Sequence, residues 1–490
     1  MRFFAAVLAL ASVTTTATAT TTRYSKRSHK RVPLPANSSQ VRDDPTELLK
    51  RDGTKYVFMH HIIGSKHVSL RTLRQWRALT TLYRFSYTID TWKDDIQQIA
   101  AKGVDAIALN IGGDSWQMTQ VSNAYAASQA LGLPIKFFLS FDFTTNLGCS
   151  LPDIVSRTQQ FSGLPAQFMV NGKPMISSYS GDCLGNAGWQ SLKDQTNAYL
   201  MPFIWGLEGN FGSYPSLDSW YCWGCAWPQD DSDKTTADDE YYISQLGSKY
   251  AATVSMWFFT HLSDKNRILR SDDWLINTRW EQLVAMRDQL TFVEMVTWND
   301  FGESDYFGPV TADQPAGTTW ADGYPHTAWF DMSDYYIKAR LVYSAFPASC
   351  RILFKAFKTG VYPAITQDVI YYWARPHPHD AIVSGDGAQP DNWDWTQDYL
   401  WVAAFCSSTC TVTLQSGSPA ATPFVNLPAG VNKLQIPLSA GKVTVSMIKN
   451  GQTVISKTEQ GFTYTTTPTK YNFNAFVGAA CAGSYRRKHH

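Results

Sequence analysis

The chain has 490 residues, which is enough for two domains or for one large domain with an appendage. Its 42 basic and 41 acidic residues nearly cancel, so the charge gives no reason to expect nucleic acid or an anionic membrane as a partner. Aromatic residues make up 14% of the chain, and Trp and Tyr suit both core packing and stacking on sugar rings.

The N-terminus has the features of a secretion signal. Arg2 is followed by an apolar stretch over residues 3–11 and by small residues at 17–19, which predicts a signal peptide over residues 1–19. Residues 20–51 are polar, basic and rich in Thr, Ser and Pro, which predicts a disordered propeptide. No later apolar run reaches the roughly 18 residues that a membrane span requires. We therefore expect a secreted protein of the cell exterior or the cell wall.

From residue 55 onward, apolar runs alternate with helix-period segments, which predicts a parallel β/α architecture. The number of strands favours the α/β class and a (β/α)8 TIM barrel over residues 52–346. Helices are predicted near Thr91, where Thr91 and Asp94 resemble a capping box, and over residues 123–131. The predicted strands are residues 56–59, 106–109, 135–140, 201–207, 254–259 and 292–296, with a hairpin at Asn171-Gly172.

The pattern changes near residues 343–350. Beyond it, short alternating runs at residues 401–405, 411–414 and 433–438 are separated by turn residues. A hairpin at Asn450-Gly451 joins two further runs. This pattern predicts an antiparallel β-sandwich domain over residues 347–490.

Eight cysteines in an exported chain favour disulfides. Cys222 and Cys225 have the spacing of a redox or zinc site, but no second CxxC or paired His completes a zinc set, so a structural disulfide is favoured. Spacing also suggests two further pairs, namely Cys406 with Cys410 and Cys149 with Cys183.

The most informative run is TWNDFGES at residues 297–304. It follows the predicted strand at residues 292–296 and presents Asp300 and Glu303 with Gly302 between them. Hydrolysis of a glycosidic bond uses two carboxyl groups, and a barrel places its chemistry on loops that follow strands. The alternative is an N-cap aspartate with a solvated glutamate.

Polar side chains also follow the other predicted strands. In a barrel these strand ends converge on one mouth, which predicts a polar cleft, although each residue could instead satisfy backbone groups. A metal site at adjacent histidines is disfavoured, because adjacent strand residues point to opposite faces. The residues are His60, His61, Asn110, Asp142, Tyr179, Asp182, Glu208 and Asn210.

Three tryptophans, Trp220, Trp223 and Trp227, lie within one loop region of the predicted barrel. They could form a platform for a sugar, and they could equally be ordinary packing residues.

Five motifs of the chain together carry a resemblance to a known family. They are VFMHHIIG at 57–64, VDAIALNIG at 104–112, FFLSFD at 137–142, GNF at 209–211 and TWNDFGES at 297–304. From about residue 56 to its end, the chain resembles glycoside hydrolase family 71, the fungal α-1,3-glucanases also called mutanases. His61 stands where an aromatic residue is expected in many members, a change that we expect to affect the cleft wall.

The resemblance implies a (β/α)8 barrel followed by a β-sandwich and the inverting hydrolysis of α-1,3-glucan. It also implies that Asp300 and Glu303 are the catalytic pair, with carboxyl groups about 6.5–9.5 Å apart. Our hypothesis places the acid at Glu303 and the base at Asp300, with Gly302 giving the backbone the freedom to let the side chains diverge. Endo action on fungal wall glucan is the expected activity.

We expect no cofactor and no metal, because catalysis by carboxyl groups needs neither, and we expect a monomer whose partner is the polysaccharide. Two alternatives remain open. One is a barrel glycosidase for another α-linked polysaccharide, and the other is a non-catalytic glucan-binding protein of the wall, which the intact pair argues against. The residues predicted to contact the substrate are His60, Asn110, Asp142, Tyr179, Asn210, Trp298 and Asn299.

Overall fold

A computed structural model describes residues 53–64, 87–311, 317–337 and 356–482. The predicted signal peptide, the propeptide and the predicted domain boundary after residue 346 lie outside these residues. Within the described ranges, no helix combines the length and the apolar character needed to cross a membrane.

Strands and helices alternate through the first part of the described chain. The strands are β1 (Tyr56–Ile62), β2 (Ala106–Ile111), β3 (Lys136–Asp142), β4 (Met169–Val170), β5 (Lys173–Tyr179), β6 (Tyr199–Phe203), β7 (Trp220–Tyr221), β8 (Tyr250–Val254), β9 (Phe259–His261), β10 (Asn266–Ile268) and β11 (Phe292–Met295). The helices are α1 (Ile89–Ala101), α2 (Ser115–Leu131), α3 (Leu151–Ser162), α4 (Gly185–Thr196), α5 (Ala237–Leu246), α6 (Leu275–Ala285) and α7 (Thr327–Ile337).

One large sheet runs in the order β6-β5-β3-β2-β1-β11-β8-β7, and neighbouring strands in it are parallel. The short strand β4 pairs antiparallel with β5 through the Asn171-Gly172 turn, as predicted. The parallel β/α architecture is therefore confirmed. The strand ladders of the described ranges establish a curled parallel sheet, with β6 and β7 as its two outermost strands.

The curl brings strands that are not neighbours in the sheet into contact on its inner face. The rings of Tyr199 on β6 and Phe292 on β11 lie 6.0 Å apart. The Tyr221 hydroxyl on β7 donates to the main-chain oxygen of Ser178 on β5 at 3.2 Å. Aromatic rings such as Phe58 and Phe138, 5.0 Å apart, also fill the interior. The inner face is thus a packed core at the amino ends of the strands.

Several predicted boundaries are wrong, each for a local reason. The N-cap of α1 is Thr88, whose Oγ1 accepts from the Thr91 main-chain N–H at 3.1 Å, so Thr91 lies inside the helix. Helix α2 begins at Ser115 and not at residue 123, because buried polar residues such as Gln117 interrupt the apolar period. The predicted strand at 254–259 spans the end of β8 and the start of β9.

The C-terminal region consists of antiparallel strands, as predicted. They form sheets in the order β16-β13-β12-β19 and β15-β14-β17-β18, and Asn450-Gly451 forms the predicted hairpin between β17 and β18. The strands are β12 (Val369–Ala374), β13 (Tyr399–Cys406), β14 (Cys410–Ser416), β15 (Thr422–Leu427), β16 (Gly430–Pro437), β17 (Val443–Lys449), β18 (Gln452–Thr458) and β19 (Phe476–Cys481).

Strand β12 contacts two different cores through its alternating side chains. Ile370 and Tyr372 join a core shared by both C-terminal sheets. Trp373 belongs to the core of the large curled sheet, and its Nε1 donates to the main-chain oxygen of Asp272 at 3.0 Å. A period of two along a strand produces this division. The chain from Gly53 onward accordingly forms one compact unit.

The three predicted disulfides are present in the described part of the chain. Their pairs are Cys149–Cys183, Cys222–Cys225 and Cys406–Cys410. The first joins the loops that follow β3 and β5, and therefore ties together two loops at the carboxyl ends of the strands.

A buried ion pair fixes α6 to α5. Arg279 and Asp239 are both fully buried, and the guanidinium nitrogens lie 2.5 and 2.7 Å from the carboxylate oxygens. We expect Arg279→Met to lower the free energy of unfolding by about 3–5 kcal/mol, because it leaves a buried carboxylate without its partner. Denaturant unfolding measures the effect. Lys93→Met, which removes an exposed ion pair with Asp90, should change it little, and equal losses in both variants would contradict the prediction.

Candidate active site

The parallel register brings the carboxyl ends of neighbouring strands to one rim of the sheet. Ile62 pairs with Asn110, Asn110 with Ser140, and Asp142 with Tyr179. Partners in register share a face, so the predicted residues on β1, β2, β3 and β5 face the inside of the curl. The strand ends therefore bring these predicted polar residues to one rim of the sheet.

His60 faces inward and pairs with a residue that the sequence did not single out. Its Nδ1 lies 2.7 Å from Oε1 of Glu294 on β11, and both side chains are buried. In the sequence Glu294 stands as a single charged residue within an apolar run, and this position was the one sign that it has a role. When Glu294 is ionised, Nδ1–H donates to it, and the other ring nitrogen then faces the interior as an acceptor.

His61 points to the opposite side of β1. Its Nε2 lies 3.3 Å from Oδ2 of Asp95 on α1, and its ring lies 4.6 Å from Trp92. The expectation that this residue affects the cleft wall is therefore wrong, because alternation along the strand turns it toward the helix layer.

An aromatic wall stands beside His60. The Trp223 ring lies 4.9 Å from the rings of both His60 and Tyr179, and Tyr179 lies 6.1 Å from the exposed Trp205. Trp220 and Trp227 are buried packing residues. Of the three tryptophans that could have formed a platform, Trp223 is therefore the one at the site.

The other predicted polar residues are arranged differently. Asn110 is buried at the end of β2. Oδ1 of Asp142 accepts from the main-chain N–H of Thr144 at 2.9 Å, so Asp142 caps its own turn. Burial, followed by the charges of Glu294, Tyr179 and Asp142, raises the pKa of Tyr221 well above its usual value. The charge of Asp142 therefore affects Tyr221 in the interior, in addition to the hydrogen bond by which Asp142 caps its own turn.

Asn210 lies exposed at the start of a short 3-10 turn, where its main-chain oxygen accepts from the Ser213 N–H at 3.0 Å. Across the described ranges, no contact joins its side chain to the other predicted site residues. Its predicted substrate contact stays a prediction.

Trp298 and Asn299 attach the loop after β11 to β1. Trp298 is 1% exposed, and its main-chain N–H donates to the His60 oxygen at 2.7 Å. The Asn299 amide accepts from the Ile62 N–H and donates to the Ile62 oxygen, both at 2.9 Å. Trp298 and Asn299 therefore both fix the loop to β1, and their predicted substrate contacts stay predictions.

The predicted pair lies on one turn of this loop. The Asp300 N–H donates to Thr297 Oγ1 at 2.8 Å, and Asp300 Oδ1 accepts from the Glu303 N–H at 2.9 Å. The Glu303 carboxylate forms an ion pair with Lys265, which comes from the β9–β10 hairpin. The Glu303 side chain is 15% exposed, so both residues lie at the edge of the core within reach of solvent.

The two carboxyl groups have different electrostatic surroundings. Burial, followed by the neighbouring Glu303 charge, raises the pKa of Asp300 to about 7, although Lys265 and the main-chain N–H groups of Gly302 and Glu303 act in the opposite direction. Burial would lower the pKa of Lys265, but the Glu303 carboxylate outweighs it, so the pKa of Lys265 is raised. Neighbouring carboxyl groups whose environments differ are what acid and base assignments require.

Asp305 is a third carboxyl group in this region, and sequence reasoning missed it. It is fully buried, and neither carboxyl oxygen has a hydrogen-bond partner in the described ranges. Burial raises its pKa well above the usual value, and the charges of Asp300 and Glu303 add to the effect. The sequence signal was an acid two positions after Glu303, which reads as a solvated loop residue. In its protonated, neutral form Asp305 has a lower free-energy cost of burial at this position.

Gly302 serves a different purpose from the one expected. The left-handed residue of the loop is Ser304, with φ of 60°. A Cβ on Gly302 would instead lie 3.3 Å from Asp300 Oδ1 and 3.8 Å from Thr318 Cγ2. Glycine therefore lets the loop backbone approach the Asp300 carboxyl group closely, and a Cβ here would make the carboxyl group shift by a few tenths of an ångström.

Gly302→Ala should push the Asp300 carboxyl group out of position. A displacement of reacting groups by a fraction of an ångström to 1 Å lowers turnover, so we expect kcat for glycosidic-bond hydrolysis to fall roughly 10–100-fold with little change in Tm. Gly163→Ala is the matched control, because a Cβ there would meet no atom within 4 Å. Unchanged kcat in Gly302→Ala would contradict the close-approach argument.

Comparisons with known proteins show the family to which the chain belongs. The profile of glycosyl hydrolase family 71 matches residues 81–489. The chain is 32% identical over 413 residues to the glucan endo-1,3-alpha-glucosidase agn1 of Schizosaccharomyces pombe, covering 80% of this chain and 91% of that protein. It is 29% identical over 465 residues to a mutanase of Penicillium rubens, covering 92% and 94%. It is 30% identical over 408 residues to the ascus wall endo-1,3-alpha-glucanase of Schizosaccharomyces pombe, covering 76% and 89%.

The family profile spans most of the chain and includes the loop that carries Asp300 and Glu303. The chain is a glycoside hydrolase and belongs to glycosyl hydrolase family 71.

Proposed function

We propose that this enzyme hydrolyses the α-1,3-glucosidic bonds of fungal cell-wall glucan, within the polymer and with inversion, through Asp300 and Glu303. The proposal rests on one observation. The two carboxyl groups lie on the same turn of the loop and have different electrostatic surroundings. The names of the relatives, glucan endo-1,3-alpha-glucosidase and mutanase, support the substrate and the endo action. Inversion rests on family membership.

Asp300 is assigned the role of general acid and Glu303 that of general base, the reverse of the hypothesis drawn from the sequence. A general acid must carry its proton at the working pH, and the raised pKa of Asp300 supports this. A general base must be ionised, and the ion pair with Lys265 stabilises the Glu303 carboxylate.

In the proposed reaction, the Asp300 carboxyl group gives its proton to the glycosidic oxygen as the bond to the anomeric carbon breaks. Glu303 takes a proton from a water molecule whose oxygen attacks that carbon from the opposite face. Asp300 ends ionised and Glu303 ends protonated, and exchange with solvent restores both.

The sugar next to the broken bond is proposed to lie against the aromatic wall of Trp223 and Tyr179. Aromatic faces bury the apolar side of a sugar ring, and the neighbouring His60 supplies a polar group at the edge. Asn110 and Asp142 complete the polar lining. Asn210, on an exposed loop, would contact a sugar further along the polymer.

For the fold, we propose a complete (β/α)8 barrel over residues 52–346 and a β-sandwich over residues 347–490. Main-chain N–H groups of Asp218 and Ser219, just before β7, donate to the Leu200 oxygen on β6 at 3.1 and 2.9 Å, which supports closure between these strands. The core common to both C-terminal sheets supports the sandwich. We further propose a secreted monomer that acts at the wall, with residues 1–51 removed as signal peptide and propeptide.

Replacing either carboxyl group should abolish most of the activity. Asp300→Asn and Glu303→Gln should each lower the release of reducing ends from insoluble α-1,3-glucan at least ~100-fold, because general acid and base catalysis contribute factors of this size. Glu240→Gln is the matched control, since Glu240 is an exposed carboxylate on α5 whose partner is the Thr236 hydroxyl.

β-1,3-Glucan and starch serve as substrate controls for the wild type. Release of reducing ends from a different α-linked polymer would contradict the proposed substrate but not the assignment of the carboxyl pair. Binding of α-1,3-glucan without release would overturn the assigned activity, and near-normal turnover in both carboxyl variants would overturn the pair.

The pH dependence tests the roles within the pair. The groups that face Asp300 are Glu303, Lys265 and Asp305. Because Asp300 must be protonated, kcat/KM on a soluble α-1,3-linked oligosaccharide should fall as pH rises through about 7. A value of kcat/KM that stays constant or rises between about pH 7 and 9, while the enzyme remains folded, would contradict Asp300 as the acid.

A further inference from the structure

The β9–β10 hairpin touches the catalytic loop at two points, both on Glu303. The main-chain N–H of Phe259 on β9 donates to the Glu303 main-chain oxygen at 2.8 Å. Lys265, just before β10, forms the ion pair with the Glu303 carboxylate. The hairpin therefore contacts both the backbone and the side chain of the proposed base.

The outer side of the hairpin is held by a segment of the C-terminal region, residues 386–392. The Ile268 N–H donates to the Asp391 oxygen, and the Asp391 N–H donates to the Asn266 oxygen, both at 3.0 Å. The Asn266 side-chain amide donates to the Ala388 oxygen at 2.9 Å. These bonds add the segment to the hairpin much as a further strand would.

That segment is itself fixed to the rest of the C-terminal region. Oδ2 of Asp386 accepts from the Tyr471 main-chain N–H at 2.5 Å, and the Tyr471 hydroxyl accepts from the Val383 N–H at 3.0 Å. His261 on β9 also lies 2.8 Å from Oδ1 of Asn266 through its Nδ1, which stiffens the hairpin. A continuous set of hydrogen bonds therefore leads from the C-terminal region to Asn266, the residue that follows Lys265 in the chain.

The ammonium group of Lys265 forms an ion pair with one of the three carboxyl groups of the loop, that of Glu303. Lys265 Nζ contacts Glu303, lies 5.2 Å from the centre of the Phe258 ring and carries its charge at neutral pH. Among the ion pairs of the described residues, none joins Asp300 or Asp305 to a cation. One fixed cation in contact with one of the three carboxyl groups gives that group surroundings that differ from those of the other two.

We propose that Lys265 is a positioning residue for the catalytic pair, and that residues 386–392 of the C-terminal region hold it against Glu303. This rests on the proposed function of Asp300 and Glu303. The C-terminal sheets then contribute to catalysis through the hairpin, whether or not they bind glucan themselves. Lys265 acts through Glu303, by fixing its side chain and by its charge.

The test compares Lys265→Met with Lys265→Arg in the full-length enzyme, using a soluble α-1,3-linked oligosaccharide. Lys265→Met should lower kcat roughly 10–100-fold, because the base loses its fixed orientation. It should also shift the alkaline limb of the pH profile, the pH range over which kcat/KM falls, upward by about one pH unit. Lys265 lowers the pKa of Asp300, so its removal lets Asp300 keep its proton to higher pH. Lys265→Arg should restore most of both properties.

Lys433→Met is the matched control. Lys433 forms an ion pair with Glu281 at 2.7 Å and is 29% exposed, against 35% for Lys265. It should leave kcat and the alkaline limb unchanged. A Lys265→Met enzyme with the wild-type limb, at any level of kcat, would overturn the proposal, because a merely structural lysine changes rate without moving the limb.

Asn266→Ala tests the connection to the C-terminal region. It removes the bond to Ala388 and the contact with His261, and leaves Lys265 in the chain. We expect a smaller loss of kcat and a smaller shift of the limb in the same direction, and an unchanged profile would refute the holding role of residues 386–392. Failure of the proposed function is recognised separately, since the wild type would then release no product and Glu303→Gln would change nothing.

Discussion

Three carboxyl groups between residues 300 and 305 repel one another, and the way their charge is distributed controls what this site can do. Asp305 is buried without a hydrogen-bond partner in the described chain, so its neutral form is favoured. Asp300 has its pKa raised to about 7 by burial and by Glu303. Glu303 has an ammonium group against its carboxylate. The loop can therefore carry one protonated and one ionised group at the same pH, which acid–base hydrolysis requires.

The curled parallel sheet makes this loop possible. Each strand ends at the same rim, so the loop after β11 can be tied to β1 by Asn299 and by the Trp298 main chain. Aromatic packing fills the inner face below the rim, and the His60–Glu294 pair lies above that packing. Polar groups on the rim are consequently held by a rigid core and not by loops alone. Positioning of this kind is worth more to a catalyst than additional contacts.

The C-terminal sheets are more than an appendage to this core. Strand β12 faces the large curled sheet with Trp373 and the second C-terminal sheet with Ile370 and Tyr372. The segment at residues 386–392 reaches from this region to the β9–β10 hairpin. Sequence patterns could separate the two regions by composition, but they carry no information about a hydrogen-bonded link of this kind.

Local sequence signals predicted the local structure well. Asn171-Gly172 and Asn450-Gly451 formed the predicted hairpins, because a type of turn that needs two positive φ values selects these residues. Alternating apolar runs located the strands. The start of α2 was missed because Gln117 is buried and bonded to the Ile63 oxygen, a tertiary contact that no periodicity reveals.

The site was predicted in part for the same reason. Asp300 and Glu303 stood in a distinctive run, whereas Asp305, Glu294 and Lys265 gain their meaning from burial and from partners distant in the sequence. The sequence also gave no sign that the Trp298 side chain packs into the core beside Phe330. Residue type predicted chemistry, and three-dimensional packing decided which of those residues face the cleft.

The most direct test of the account is turnover of an α-1,3-linked oligosaccharyl fluoride by Asp300→Asn and Glu303→Gln. Fluoride leaves without protonation, so an enzyme that lacks its general acid still turns it over, whereas one that lacks its general base does not. The account predicts near-wild-type kcat for Asp300→Asn and loss of turnover for Glu303→Gln. Turnover by Glu303→Gln and none by Asp300→Asn would contradict it.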